Sequence, residues 1–336
     1  MNCKQDKMEI VYMGTMPNLC CCDATLRKMP NGEWLTIFLT GGATEPRLGN
    51  HIVGTRSTDE GKTWSKPEIL FIEPQLCVVP SELMVVGERV TMFLSVHSGI
   101  FDYWRSYYSF SDDSGYTWSP FYSVPHVPQK AFVRNAICRR NGDLVLPFQH
   151  YPDLPDYDGM WSKKFLPQNG VLISSDGGKN FEGFGNIRLG FRSMAEVQVV
   201  ELSDDSLAML IRADGWEWHG KGPEGVLYRS DSSDGGRTWS DPYRTDIPNP
   251  ASKFNLLKLS DGRIILIHNP NPSRRHPLSL WISKDDMKTW SYKRDLVTFP
   301  GRLQYPDGFV DEEEGYVHFT FDYNRHDVIY MGAYLP

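Results

Sequence analysis

The sequence predicts an all-β protein, a six-bladed β-propeller that takes up residues 1–336 as a single domain. Three observations predict it. A short turn motif returns five times, β-rich runs lie between its copies, and the composition, with 13% aromatic residues, 29 Gly and 23 Pro, calls for many short strands and many turns.

The motif is a serine with Asp two residues on, Gly four on, Thr six on and Trp seven on. Its copies begin at Ser57, Ser111, Ser174, Ser232 and Ser283, with Phe181 in place of Trp in the third and Met287 in place of Gly in the fifth. The intervals of 54, 63, 58 and 51 residues average close to one-sixth of the chain. As a hairpin turn the motif has a physical logic: the carboxylate accepts backbone N–H bonds inside the loop, the glycine supplies a positive φ, and the ring plugs into the following sheet. Asp59, Asp113, Asp176, Asp234 and Asp285 are therefore expected to be structural.

Between the motifs lie the β-rich runs 33–39, 89–94, 143–147, 206–211 and 263–267, each preceded by a turn containing Gly or Asp. A unit of about 50 residues with four short strands cannot bury both faces alone, so the units are expected to stack radially. The last segment, from Tyr305 to Tyr334, holds two strand-like runs, 316–321 and 327–332, and no motif of its own. Completed by the N-terminal run 9–13, it forms a sixth blade, closes the ring and hides two sheet edges.

The formal net charge of −7 and the scattered Lys and Arg exclude the concentrated basic face of a nucleic-acid partner. The run Asp311, Glu312, Glu313, Glu314 reads as a solvated hairpin loop. The six cysteines follow neither a disulfide framework nor a four-ligand zinc pattern. Cys77 and Cys138 lie in apolar runs and are expected to be buried small hydrophobes. The Asp-rich turns lack the run of converging oxygens that calcium needs, so neither a metal nor an organic cofactor is expected. No apolar stretch approaches the roughly 20 residues that span a bilayer. The polar start, Met1 to Lys7, reads as no leader, which suggests a soluble cytoplasmic protein; a leader already removed would make it periplasmic or secreted, with Cys3 as a lipoprotein start.

The five turns resemble the Asp-boxes of the sialidase (neuraminidase) superfamily, and the chain resembles its BNR-repeat, sialidase-like members over nearly its whole length. Two stretches carry the resemblance further. Ala195-Glu196-Val197-Gln198-Val199-Val200-Glu201-Leu202, ending at Ile211-Arg212, resembles the segment that delivers a catalytic Glu and a clamp arginine. His268-Asn269-Pro270-Asn271-Pro272-Ser273-Arg274-Arg275, before the fifth Asp-box, resembles the segment with a further clamp arginine. Leu303-Gln304-Tyr305-Pro306-Asp307 falls where the family presents a nucleophilic tyrosine, and Phe321-Asp322-Tyr323-Asn324-Arg325 is similar to its closing strand.

The resemblance implies a six-bladed propeller of the sialidase type with Tyr305 as nucleophile, Glu196 as the acceptor of its proton, and Arg212 and Arg275 holding a substrate carboxylate. Arg134, His150, Asn269 and Arg325 are further candidates for substrate binding. The chemistry is coherent, because a sugar carrying a carboxylate on its anomeric carbon repels a carboxylate nucleophile, whereas a neutral tyrosine does not. Planar guanidinium groups grip a carboxylate through paired bonds that a lysine cannot imitate.

The chain departs from the family pattern in two places. Where the family opens its first blade with an arginine-isoleucine-proline segment, this sequence reads Cys21-Cys22-Asp23-Ala24-Thr25-Leu26, so the first clamp arginine is absent. Arg27 follows, and alternation places it on another face or in the turn before Asn31-Gly32. In the loop 41–50, where the family has its general acid, Glu45 stands instead of Asp and reads either as that acid or as a solvated loop carboxylate.

Other features describe a built-up rim. His150 reads as a binding or acid/base group or as a hydrogen-bonded structural histidine. The loop 153–165 carries Trp161. The loop 214–224, with Trp216, Trp218 and His219, offers either a sugar-stacking surface or aromatic packing between blades. Three functions fit: an exo-α-sialidase-like hydrolase of a terminal acidic sugar, a uronate-directed lyase in which a Tyr or His removes a proton beside an arginine-neutralised carboxylate, and a carbohydrate-binding propeller without catalysis. The partner in each case is a glycan with an acidic sugar.

Overall fold

The computed structural model describes residues 4–99, 103–127, 130–152, 166–191, 193–213 and 225–336. Every regular element in them is a strand, and the strands form six antiparallel sheets. Among the described residues no helix is long and apolar enough to cross a membrane.

Strand β1 (Lys7–Met13) belongs to the last blade. The first blade is β2 (Cys21–Lys28), β3 (Trp34–Thr40), β4 (His51–Ser57) and β5 (Glu68–Phe71), and the second is β6 (Cys77–Val86), β7 (Arg89–His97), β8 (Trp104–Ser111) and β9 (Tyr122–Ser123). The third consists of β10 (Ala131–Val133), β11 (Ile137–Cys138), β12 (Leu144–His150), β13 (Gln168–Ser174) and β14 (Glu182–Arg188), with β10 and β11 both pairing β12. The fourth is β15 (Val197–Glu201), β16 (Leu207–Ile211), β17 (Val226–Ser232) and β18 (Tyr243–Pro248); the fifth is β19 (Asn255–Lys258), β20 (Ile264–His268), β21 (Leu278–Ser283) and β22 (Tyr292–Val297). In the sixth, β23 (Leu303–Asp311), β24 (Tyr316–Tyr323) and β25 (Asp327–Tyr334) are joined by β1 along β25, so the two ends of the chain share one sheet. The sequence anticipates this closure. It missed the inner strand β23, on which Tyr305 lies.

Why the blades stack is visible in the core. Six of its clusters each join neighbouring blades: Leu278 and Ile282 of the fifth meet Phe319 and Phe321 of the sixth, and Val171 and Ile173 of the third meet Val199 and Met209 of the fourth. Strand alternation sends successive apolar residues to the two neighbouring blades, so a central strand such as β3 is buried throughout. Truncating an interior phenylalanine in such a layer costs about 3–5 kcal/mol.

The five Asp-box turns repeat one bond pattern. In the first, Asp59 Oδ1 accepts from Ser57 Oγ at 2.8 Å and from the Thr63 amide at 2.9 Å, Oδ2 accepts from Thr63 Oγ1 at 2.7 Å, and Ser57 Oγ accepts from the Gly61 amide at 2.8 Å. Bonds to Thr63 and Ser57 hold the Asp59 carboxyl down to about 2. In the fifth copy Met287 takes the glycine position with φ +63° and buries its side chain against the fourth and fifth blades.

Two expectations are corrected. Cys77 is buried, but Cys138 is exposed, because β11 is only two residues long and leaves its thiol on the outside of the blade. Arg27 lies within β2 and turns inward to meet Glu82 and Asp307. A bulge in β2 between Cys22 and Thr25 adds a residue and reverses the alternation on which the opposite expectation rested.

Candidate active site

The inner strands β2, β6, β10, β15, β19 and β23 stand around one axis, each touching its neighbours, with β12 linking the third blade to β15. Most kink in the same place. The register slips at Cys22/Thr25, Pro80/Glu82 and Gln304/Asp307, and β10 breaks off after Val133 before β11 begins. Left-handed backbone marks the kinks, with φ of +53° at Asp23, +45° at Asn135, +47° at Ala195, +53° at Ala251 and +58° at Tyr305. Each such L-residue costs about 1–2 kcal/mol. A bulge re-aims side chains, here bringing polar residues from distant parts of the chain to one end of the axis.

Glu196 and Arg212 arrive there as cross-strand partners. Val197 pairs Ile211 in the ladder of β15 and β16, and one step further the Arg212 amide donates to the Glu196 carbonyl at 2.8 Å. The side chains meet as well, Arg212 Nη1 donating to Glu196 Oε2 at 2.7 Å and to the Tyr305 phenol oxygen at 3.0 Å. Arg134 approaches the other Glu196 oxygen at 4.0 Å and Asp23 Oδ1 at 3.3 Å. Arg275 lies 5.3 Å from the Tyr305 ring centre and Arg325 lies 6.0 Å from it. Arg275 also donates to the Ala251 carbonyl at 2.7 Å and to Gln304 Oε1. Arg325, in the hairpin turn between β24 and β25 where Asn324 and Arg325 both have positive φ, pairs with the Glu45 carboxylate.

The charge states follow. Burial first, then the Glu196 charge, pushes the Tyr305 phenol above its ordinary value, against Arg212 and Arg275. Burial works to raise Glu196 too, but Arg212 and Arg134 outweigh it and hold the carboxyl below its usual range. At neutral pH the tyrosine is neutral and the glutamate charged. Asp322 is the opposite case: fully buried, it is driven well above the carboxylate range by desolvation, against the opposing pull of Gln304 and Arg275.

Glu196, Arg212, Arg275 and Tyr305 thus stand together, with Arg134, Arg325 and Glu45 beside them. Arg212 Nη1 contacts both the phenol and Glu196, an interposition that the sequence did not suggest. Asn269 is fully buried, and its amide nitrogen donates to the Pro277 and Leu303 carbonyls, both at 2.9 Å, bracing the loop that carries Arg275. Glu45, the candidate acid, is engaged by Arg325. His150 closes β12, half-buried and paired in register with Ala131. Trp161, Trp216, Trp218 and His219 lie outside the described residues.

Sequence reasoning passed over Asp23 and Asp322. For Asp23 the only signal was its place in the segment that replaces the missing arginine. It also missed a second buried charge network beneath the first. Arg27 bonds Glu82 and Asp307, each at 2.6 Å, Lys253 meets Asp307 at 2.8 Å, and Glu82 accepts from the Ala136 amide at 3.2 Å. Five blades contribute to it.

A closed six-bladed ring with Asp-box turns and an arginine-rich axial cluster defines a sialidase-like propeller. The BNR repeat-like domain family matches residues 78–319, and the chain belongs to that family. A curated relative, a sialidase of Bacteroides fragilis, is 24% identical over 288 residues, which cover 74% of this chain and 49% of the relative; the chain spans about half that protein's length. Among solved structures, a protein of unknown function from Dyadobacter fermentans is similar at a TM-score of 0.77 and 17% identity, covering 98% of both chains. The Hadza microbial sialidase Hz136 is similar at 0.76 and 18% identity, over 95% of this chain and 66% of that one. The NanB sialidase of Streptococcus pneumoniae is similar at 0.75 and 15% identity, over 97% and 70%.

Proposed function

We propose that the axial cluster removes a terminal acidic sugar from a glycan, as a retaining glycoside hydrolase of the exo-α-sialidase-like type. The observation that supports this reading most is that Arg212 Nη1 reaches both the Tyr305 phenol oxygen, at 3.0 Å, and Glu196 Oε2, at 2.7 Å. In this reading the substrate carboxylate docks on Arg212 and Arg275, flanked by Arg134 and Arg325. Arg212 turns toward the incoming carboxylate and leaves Glu196 Oε2 for the phenol. A phenol raised by burial does not ionise unaided, so Glu196 takes its proton as the phenol oxygen bonds the anomeric carbon and the glycosidic C–O bond breaks.

The departing oxygen needs a proton. With Glu45 engaged by Arg325, the neutral carboxyl of Asp322 is the better source, acting through a water. Water then releases the sugar from Tyr305, Asp322 recovering a proton from it and Glu196 returning one to the phenol oxygen.

The test is Tyr305→Phe assayed on a sialyl-oligosaccharide and on a uronide-ended one. Turnover of the sialoside is expected to fall on the order of 10³-fold with an unchanged melting temperature. Wild-type activity in this variant would remove the tyrosine from the mechanism. An unsaturated product absorbing in the near ultraviolet would replace hydrolysis by elimination, and glycan binding without product from either compound would make the propeller a binder.

A further inference from the structure

The position of the missing clamp arginine is occupied by a cluster of another kind. Cys22 Sγ, a carboxylate oxygen of Asp23 and one of Glu45 lie within 4.8 Å of one another, and Cys20 adds a second buried thiol beside Cys22. We propose that Cys22, Asp23 and Glu45, with Cys20 as fourth donor, bind one thiophilic divalent cation of the zinc class at the mouth of the axis.

Several observations support a built site. The β2 bulge, with Asp23 at φ +53°, brings two consecutive side chains to a single point, which a regular strand cannot do because successive residues point to opposite faces. Glu45 reaches the same point from a loop braced at both ends, Asn50 Oδ1 accepting from the Arg47 amide at 2.6 Å and the Asn50 amide group donating to the Gly41 carbonyl. The cysteines are free thiols, not a disulfide.

The arginines do not compete for the same atoms. Arg134 engages Asp23 through Oδ1 and Arg325 engages Glu45 through Oε1, which leaves each carboxylate a second oxygen outside its ion pair. Arginines so placed do for carboxylate ligands what an outer shell does at metal sites, fixing their orientation. Zinc takes thiolate sulfur at about 2.3 Å and carboxylate oxygen at about 2.0–2.2 Å in a tetrahedron. Cys22, Asp23 and Glu45 hold their donor atoms within 4.8 Å of one another, near the spacing that ligands of one such ion take, and Cys20 stands beside Cys22. Mixed thiolate and carboxylate donors favour a borderline-soft ion over calcium or magnesium.

The experiment is metal binding, read without any activity assay. The whole chain is stripped with chelator and titrated with Co²⁺, then with Zn²⁺ in competition. One equivalent per chain is expected, with a thiolate-to-cobalt charge-transfer absorption that Zn²⁺ abolishes. Cys22→Ser is expected to lose about half of that absorption, the part that remains coming from Cys20. Glu45→Gln, in a half-buried loop, keeps the fold and is expected to bind on the order of tenfold or more weakly. Cys138→Ser, which alters the exposed thiol, is expected to behave as wild type. No stoichiometric uptake overturns the site, and uptake indifferent to Cys22→Ser and Glu45→Gln makes it an adventitious ion only. Tyr305→Phe is expected to bind cobalt normally, so failure of the hydrolysis and failure of the metal site are read separately.

Discussion

The rim and the axis of this propeller repeat with the same period and use the repetition in opposite ways. At the rim the turns share their residues as well as their shape. Asp59, Asp113, Asp176, Asp234 and Asp285 each accept a serine hydroxyl two residues back and the amide four residues on. At the axis the kink recurs, but the side chains it presents differ from blade to blade: Asp23, Glu82, Arg134, Glu196, Lys253 and Tyr305. A repeated backbone decides where the inner strands kink, and side chains at and beside the kinks, different in each blade, build two asymmetric charge networks from one repeated shape.

The sharpest way to break this contrast is to remove one aspartate from each region. Asp307→Ala leaves Lys253 and Arg27 buried without their shared partner and is expected to cost about 3–5 kcal/mol, measured by urea unfolding. A loss under 1 kcal/mol would mean that water reaches the network and that the axis is not dry.

Asp59→Ala is expected to lower the melting temperature only slightly and to leave the proposed glycan turnover unchanged, and its effect should depend on pH. The Asp59 carboxyl lies at about 2 in the fold, held there chiefly by Thr63, against about 3.9 in an unfolded chain. Its folded value is depressed, so its stabilisation is present above about pH 4 and disappears as the pH falls toward 2. Melting curves of wild type and variant should converge over that window; a constant gap would assign the effect to something other than the carboxylate.

The smallest expected effect is at Met287. Met287→Gly relieves a left-handed methionine, worth about 1–2 kcal/mol, and gives up a buried side chain worth about 1.5–3 kcal/mol. The opposing terms should leave the urea midpoint near wild type. A large loss would show that packing, and not the turn, sets the identity of this position.

The fold was legible in the sequence because its signal is local and redundant: five turn motifs and the runs between them each carry the blade period. Part of the candidate site was legible for a similar reason. Glu196 and Arg212 flank one hairpin, β15 with β16, so their meeting needs only that ladder. What eluded reading depended on one-residue irregularities. The β2 bulge turned Arg27 toward the axis and aimed Asp23 beside Arg134, and no alternation rule foresees where a strand will slip. Asn269 sits in a segment that reads as polar, and that its amide nitrogen braces two backbone carbonyls was settled by the chain folded over it.

The sequence alone determined the number of blades, the closure by the N-terminal strand and the structural part played by the Asp-box carboxylates, since hydrophobic alternation and turn chemistry act over a few residues. Only the tertiary structure decided which charges share the axis, which carboxyl burial drives toward its neutral form, and that the Cys22 thiol meets two carboxylates. Those outcomes depend on burial and on distances between residues as far apart as Asp23 and Arg325, quantities that exist only once the ring has closed.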